Sequence, residues 1–395
     1  MTDPHPDATP DPEPRADARP LRVLFTGTPE TAVPVLRALL GSEHEVVGVL
    51  TRPDAPVGRK RVLTPSPAAR AAAEAGVPVL KADRLRDDAG TAVLDQVRAL
   101  APDVAVVVAY GALVPADALE IPAHGWLNLH FSRLPAYRGA APVQRAVMDG
   151  VDSVGADVFR LEEGLDTGPV FARIERPVGP EETSGEVLAD LAERGGPLVL
   201  QVLAELAAGT AVAVPQEGEP THAAKLTAAD GLVDPAQDVR AVAARINGVT
   251  PEPGAWGWLV PADTDDDATP VRLKLAGVLP VAEGDEAWPA DLADAAPGAV
   301  VSTGGSGWLR TRGGAVRLGR VQPAGKKEMA AADWLRGLPA PMALLGGDAL
   351  EEHQAAQAEA ARRRAAEREQ ARAAAQGETA PGTAATTGIR TGEQA

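Results

Sequence analysis

The chain has 395 residues, of which 45% are hydrophobic and 24% are charged. This is enough apolar material to bury a large core and predicts two domains. Because the sequence contains no cysteine, disulfides, thiol nucleophiles and cysteine-ligated metals are excluded. The formal net charge of −17 argues against a nucleic-acid partner unless the cations are concentrated at one place, since phosphate binding requires a positive surface.

The first half of the chain alternates short apolar runs with helical segments. Residues 1–20 are rich in proline and aspartate and are predicted to form a disordered arm. The arm has no apolar core of the signal-peptide type, and the longest apolar run, residues 104–114, is too short to span a bilayer. We therefore expect a cytoplasmic protein without a membrane partner. Residues 21–208 are predicted to form a doubly wound, mostly parallel α/β sheet.

A second domain is expected after a linker at residues 209–225. Residues 226–345 begin with a helix and continue as short alternating strands, which at near-regular spacing indicate a small β-barrel. Residues 346–395 are rich in alanine, glutamate and arginine and have no sustained apolar stripe. We predict that this tail is largely disordered.

Three polar side chains, Asn128, His130 and Ser132, alternate with apolar residues near the end of a predicted strand. Successive side chains of a strand point to opposite faces, so an amide, an imidazole and a hydroxyl would share one face. Such a row, at the carboxyl end of a parallel strand, can act on one bound carbonyl. Asp166, in the sequence GLDTG, would be a fourth member. Two of these residues also have a plainer interpretation. His130 could be a structural histidine at a strand end, and Asp166 could form an Asx-type turn.

Other motifs exclude several classes of site. The turn at Gly27 lacks the second and third glycines of a dinucleotide-binding loop, and neither a P-loop nor a serine-hydrolase elbow occurs. No second ligand lies at metal-binding spacing from His130, so we expect no metal. Two basic clusters, residues 59–61 and residues 326–327, are each typical of ordinary solvated surface.

Taken together, these stretches resemble the methionyl-tRNA formyltransferase family over about residues 21–340. The segments that carry the resemblance are LRVLFTGTPETAVPVLRALL, RPDAPVGRKRVLTPSP, PDVAVVVAYGALVP, NLHFSRLPAYRGAAPVQRA, GLDTGPV, TSGEVLADLA and QPAGKKEM. Asn-x-His followed by S-x-L-P, RGAAP and LDTG is typical of enzymes that use 10-formyltetrahydrofolate. The RGAAPxQ segment and the second domain indicate the tRNA member.

The resemblance implies a folate-binding α/β domain of formyltransferase type and a C-terminal barrel that helps to bind tRNA. The implied reaction moves the formyl group of 10-formyltetrahydrofolate to the amino group of initiator methionyl-tRNA in translation initiation, and we expect a monomer. The implied catalytic residues are Asn128, His130 and Asp166. A protonated His130, held charged by Asp166, would stabilise the oxyanion together with Asn128. The implied folate contacts are Ser132, Arg133, Leu134 and Pro135, and the implied tRNA contacts are Arg59, Lys60, Arg61, Lys326 and Lys327.

One departure from the family is Arg133, where a leucine is usual. A side chain that points into the pterin pocket would weaken binding, whereas a role for the backbone alone would leave binding unchanged. Alternative functions with the same catalytic residues are a formyltransferase acting on a sugar nucleotide or on glycinamide ribonucleotide, and a hydrolase that releases formate. The glycinamide enzyme has no second domain. A catalytically silent RNA-binding protein on this scaffold would have no use for the polar row.

Overall fold

A computed structural model describes residues 19–58, 60–262, 270–338 and 341–377. The expected disordered arm falls almost entirely on residues 1–18, which lie outside this range. The strands of the N-terminal domain are β1 (Arg22–Gly27), β2 (Glu45–Thr51), β3 (Ala55–Val57), β4 (Val62–Thr64), β5 (Val79–Lys81), β6 (Val104–Val108), β7 (Trp126–His130), β8 (Arg138–Gly139), β9 (Ser153–Arg160), β10 (Val170–Pro177) and β11 (His222–Ala223). Its α-helices are α1 (Val33–Leu40), α2 (Pro67–Glu74), α3 (Asp88–Leu100), α4 (Ala116–Leu119), α5 (Pro142–Met148) and α6 (Ser184–Ala208).

A seven-stranded sheet forms the centre of this domain, in the order β10-β9-β7-β6-β1-β2-β5. The strands from β7 to β5 are parallel, while β9 and β10 run antiparallel at one edge. All five residues of β6 are buried because helices cover both faces, as expected for a parallel strand. The predicted doubly wound, mostly parallel sheet is thus confirmed.

Helix α6 packs closely behind the strand that carries the polar row. It begins with a capping box at Thr183 and Glu186, in which each side chain accepts a backbone N–H of the first turn. A Cβ atom added at Gly195 would lie 2.3 Å from the Leu129 side chain, so only glycine permits this approach. The apolar face of β7 is therefore held against α6, and its polar face is turned the other way.

Two smaller sheets lie outside the central one. Strands β3 and β4 pair as an antiparallel hairpin, and β8 pairs in parallel with β11. The second pairing ties the chain after β7 to the segment that leads into the next domain.

The C-terminal domain is a barrel with α7 packed against it. Its strands are β12 (Ala255–Pro261), β13 (Val271–Ala282), β14 (Ala299–Thr303), β15 (Ser306–Thr311), β16 (Gly314–Pro323), β17 (Met329–Ala330) and β18 (Met342–Leu345). Its α-helices are α7 (Val239–Gly248), α8 (Ala331–Arg336) and the terminal α9 (Gly347–Gly377). The order β13-β12-β18-β14-β15-β16 closes through pairing of β13 with β16, which confirms the predicted barrel.

The tail differs from the expectation of a largely disordered segment, because residues 347–377 form α9. Alanine, glutamate and arginine have high helix propensity, so the helix needs no apolar stripe to form. Leu350 is buried near its start, and most of the following side chains are exposed. Residues 378–395 lie outside the described range. Within that range, no helix combines the length and apolarity needed to cross a membrane.

Candidate active site

Strand β7 presents Asn128 and His130 on the sheet face opposite the main core. Leu127 and Leu129, which alternate with them, are buried in the core shared with α6. His130 is only 6% exposed, and the Phe159 ring on β9 meets its imidazole edge-on at a centroid distance of 6.2 Å. The Asn128 side chain is half-buried and has no hydrogen-bond partner among the described residues. Its amide is therefore available to a ligand.

Ser132 does not extend this row as the alternation predicts. Strand β7 ends at His130, and the chain then turns. The Ser132 hydroxyl is buried and donates to the Ala136 carbonyl oxygen at 2.6 Å. This hydroxyl therefore stabilises the turn, and the polar face of the strand consists of Asn128 and His130.

The two nitrogens of the His130 ring have different partners. Nε2 lies 3.0 Å from the Tyr137 carbonyl oxygen, which can only accept, so Nε2 carries a proton. Nδ1 lies 3.9 Å from Oδ2 of Asp166. Burial lowers the pKa of His130, while the Asp166 charge and the Tyr137 carbonyl act in the opposite direction. The lowered pKa favours a neutral ring, whose Nδ1 lone pair would face Asp166, over the protonated His130 that the resemblance implies.

Asp166 reaches His130 because its loop is held from two sides. The Gly139 N–H donates to Oδ2 of Asp166 at 2.8 Å. The side-chain amide of Gln216 donates to the carbonyl oxygens of Asp166 and Gly168, each at 2.8 Å. Asp166 itself has a left-handed backbone with φ of 50°. The structure thus brings Asp166 to His130 from far along the chain.

Tyr137 orients the imidazole through its carbonyl and is itself fixed at both ends. Its N–H donates to the Thr221 hydroxyl at 2.8 Å, and its phenol donates to Asp149 at 2.9 Å. Sequence reasoning missed Tyr137 and Gln216, because backbone contacts of this kind leave no spacing pattern. The only available signal was the position of Tyr137 directly before the RGAAP motif.

Family models match both domains of the chain. A model described as "Formyl transferase" matches residues 21–203, and one described as "Formyl transferase, C-terminal domain" matches residues 225–339. The chain belongs to the formyl transferase family. A relative from Paenarthrobacter aurescens (strain TC1) is 50% identical over 321 residues, which cover 81% of this chain and 98% of the relative. Another, from Arthrobacter sp. (strain FB24), is 52% identical over 317 residues, covering 80% of this chain and 97% of the relative. Both are called methionyl-tRNA formyltransferase.

Solved structures show the same formyl transferase fold at low sequence identity. HypX from Aquifex aeolicus superposes with a TM-score of 0.54 at 17% identity, covering 80% of this chain and 49% of HypX. WlaRD, a sugar 3N-formyl transferase, gives a TM-score of 0.51 at 11% identity, covering 78% of this chain and 99% of WlaRD. Within the described part of this formyl transferase, no group of three or more histidine, aspartate or glutamate side chains is placed to hold a metal ion.

The segment Ser132–Pro135 lines one side of a cavity of about 440 Å³. Arg133, where the family usually has leucine, does not leave a free cation there, because its guanidinium pairs with Glu175 on β10. Its stem crosses β9 at Gly155, where an added Cβ would lie 2.6 Å from Cγ of Arg133. The arginine is thus accommodated on the β9–β10 surface of this formyl transferase, where both Arg133 and Glu175 line the cavity.

The predicted tRNA contacts lie on two separate domains. Lys60 and Arg61 are exposed in the turn of the β3–β4 hairpin, whereas Arg59 lies outside the described residues. Lys326 and Lys327 are exposed on the barrel after β16. Apolar side chains beside the hairpin turn are exposed as well, namely Val57 (56%), Val62 (59%) and Leu63 (68%). A hairpin with exposed cations and exposed apolar groups is a surface suited to a partner.

We expect Gln216→Ala to lower kcat for formyl transfer about tenfold, because small displacements of a catalytic group are costly and this amide holds two carbonyls of the Asp166 loop. Gln201→Ala is the matched control, since that exposed amide donates to Glu205 within α6. Steady-state turnover at saturating substrates measures both variants. An unchanged kcat in Gln216→Ala would show that the loop holds Asp166 without it.

Proposed function

We propose that this formyl transferase moves the formyl group of 10-formyltetrahydrofolate to the amino group of initiator methionyl-tRNA, in translation initiation. The observation that carries the proposal is the juxtaposition of Nδ1 of His130 and Oδ2 of Asp166, 3.9 Å apart, on the strand face that also carries the half-buried Asn128. Relatives called methionyl-tRNA formyltransferase align over 96–98% of their own length, which supports the same substrates here.

The acceptor pair suits an attacking amine. One nitrogen atom can lie about 2.8 Å from both acceptors at once, since they are 3.9 Å apart, and can donate to each. His130 and Asp166 would then hold the amino group of the aminoacyl ester with its lone pair directed at the formyl carbon. A neutral imidazole with a free Nδ1 lone pair is the protonation state that can take up the proton the amine loses.

The remaining steps use the same three side chains. Attack of the amine nitrogen on the formyl carbon places a negative charge on the formyl oxygen, and the Asn128 amide can donate to it. A preorganised donor of this type is worth about 3–4 kcal/mol in the transition state. His130 takes the amine proton on Nδ1, and Asp166 stabilises the resulting imidazolium. When the carbon–N10 bond breaks, the imidazolium returns the proton to N10 of the folate.

Incubation with 10-formyltetrahydrofolate and charged initiator tRNA tests the proposal through the appearance of formylmethionyl-tRNA. Parallel reactions with glycinamide ribonucleotide and with an amino sugar nucleotide test the alternative acceptors, and a reaction without acceptor measures formate release. We expect rapid transfer to the tRNA alone. Formate release at the same rate, or transfer only to a nucleotide, would contradict the proposed function.

The direction of the His130 pKa gives a pH prediction. If the neutral ring accepts the proton, kcat has its full value above the His130 pKa. It then decreases as the pH falls through that pKa. Because burial lowers this pKa from 6.5, the acidic limb of kcat should lie below 6.5. Asp166→Asn removes a charge that raises the pKa, so its residual activity should have a limb at still lower pH. An acidic limb above 6.5 in the wild type would contradict a neutral His130.

A further inference from the structure

Asp157 is a fully buried carboxylate beside the candidate active site. It lies on β9 directly opposite His130 in the antiparallel register, and its exposed fraction is 0%. Because β-strand neighbours in register point to the same face, the side chain shares the sheet face of His130. None of the proposed chemical steps uses it.

The contacts of Asp157 are directed at the segment that follows β7. Its Oδ2 accepts the Leu134 N–H at 3.0 Å and lies 3.3 Å from the Arg173 guanidinium on β10. Its Oδ1 is buried and has no hydrogen-bond partner among the described residues. Burial raises the pKa of Asp157 to about 6, while Arg173, the Leu134 N–H and Arg133 act in the opposite direction. Burial of a carboxyl group in this position costs folding free energy, which indicates that its contact with the segment serves a function.

The segment Ser132–Pro135 is also held by the buried Leu134 side chain, which packs with Phe159 and Val170, and by the Pro135 carbonyl oxygen, which accepts the Thr221 N–H at 3.3 Å. Within the segment and its turn, Ser132 donates to Ala136 and the Ala136 N–H donates to Arg133, which shapes the chain but does not fix it in place. The Arg133–Glu175 pair is a further link, and both of its side chains are nearly half exposed, at 44% and 45%. Exposed ion pairs hold weakly. Asp157 supplies the buried hydrogen bond from the sheet to the Leu134 backbone, and this bond adds direction to the apolar contacts of the Leu134 side chain.

We propose that Asp157 is a positioning residue for folate binding. It holds the backbone of Ser132–Pro135 in the position beside His130 that folate binding requires. This rests on the proposed function, in which that segment contacts the folate. The carboxylate acts through Leu134 and touches no substrate. Its removal should weaken folate binding and leave the binding of tRNA unchanged.

Three variants separate positioning from general stability. Asp157→Val is similar in size and suits a strand but has no acceptor for the Leu134 N–H. Asp157→Asn retains an acceptor oxygen, and so serves as the conservative rescue. Val158→Ala is the matched control. Val158 is the next residue of the same strand, is completely buried and points to the opposite face, so its truncation weakens the core without touching the Leu134 N–H. Circular dichroism and thermal melting establish that each variant is folded.

The readouts are the Kd for tetrahydrofolate by calorimetry, without tRNA, and the KM values for 10-formyltetrahydrofolate and initiator methionyl-tRNA. We expect Asp157→Val to raise the folate Kd and KM about tenfold, in line with loss of a buried hydrogen bond to a carboxylate, with the tRNA KM within about twofold of the wild type. Asp157→Asn and Val158→Ala should keep the wild-type folate Kd.

An unchanged folate Kd in Asp157→Val would overturn the proposal, as would an equal rise in Val158→Ala or in the tRNA KM. A tenfold loss in Asp157→Asn would overturn the hydrogen bond as the cause. If Asp157→Val does not fold, Asp157→Ala takes its place, because it too lacks an acceptor for the Leu134 N–H, and the same folate Kd decides the outcome. Failure of the proposed function itself is distinct, because it would appear as absent formyl transfer by the wild type.

Discussion

Asp166→Ala should lower kcat for formyl transfer by about two orders of magnitude or more, with the enzyme still folded. The substitution removes one of the two acceptors for the attacking amine and the charge that stabilises the His130 imidazolium. The carboxylate is mostly buried, with 11% of its side chain exposed, so water does not readily replace it. Asn128→Ala should have a loss of similar size, by removal of the donor to the formyl oxygen. Single-turnover measurements of formylmethionyl-tRNA give both rates.

The control for Asp166→Ala is Glu163→Ala, which removes an exposed carboxylate from the same loop. Its kcat should remain within about twofold of the wild type, because a surface charge away from the reacting atoms contributes little. Asp166→Asn adds a sharper comparison, since it retains an oxygen that can accept the Gly139 N–H but carries no charge. A near-normal kcat in purified Asp166→Ala would remove this residue from the mechanism.

Local periodicity was enough to predict the face of β7. Strand side chains alternate with a period of two whatever they pack against. The two-residue spacing of Asn128 and His130 was therefore enough to place them on one face. The same is true of β6, whose unbroken apolar run reflects burial on both sides. The barrel strands follow from alternation too, but β18 at Met342–Leu345 is short and was not predicted.

Burial, by contrast, is a property of the assembled domain. The direction of the His130 pKa shift could not be predicted from its neighbours in sequence, because it depends on burial of the ring and on the opposing effects of Asp166 and the Tyr137 carbonyl. Ser132 matched the alternation, yet the strand ended two residues earlier and the hydroxyl went to Ala136. The partners of Arg133 lie on β9 and β10, and only their packing decides that its side chain is paired.

The basic β3–β4 hairpin should contribute to tRNA binding. Replacing Arg59, Lys60 and Arg61 together with alanine should raise the KM for initiator methionyl-tRNA tenfold or more at about 0.15 M salt, and leave the folate Kd nearly unchanged. The protein has a net charge of −17, so a polyanion can bind only where cations are gathered. The base of the hairpin is tied down by the Lys81–Asp54 ion pair at 2.6 Å and by the Thr51 and Ser66 hydroxyls, which lie 2.7 Å apart.

Salt dependence separates phosphate contact from other causes. Each cation that neutralises a phosphate adds about one to the slope of log affinity against log salt, so the triple variant should lose up to about three. The matched control is the triple alanine variant of Arg362, Arg363 and Arg364, an exposed run on α9 that changes the net charge by the same amount. Equal losses in both variants would mean that overall charge governs association. Equal loss of folate and tRNA binding in the hairpin variant would mean that the hairpin supports the catalytic domain as a whole. A change confined to the tRNA slope is expected if the hairpin contacts tRNA phosphates, since counterions are released only where phosphates are neutralised.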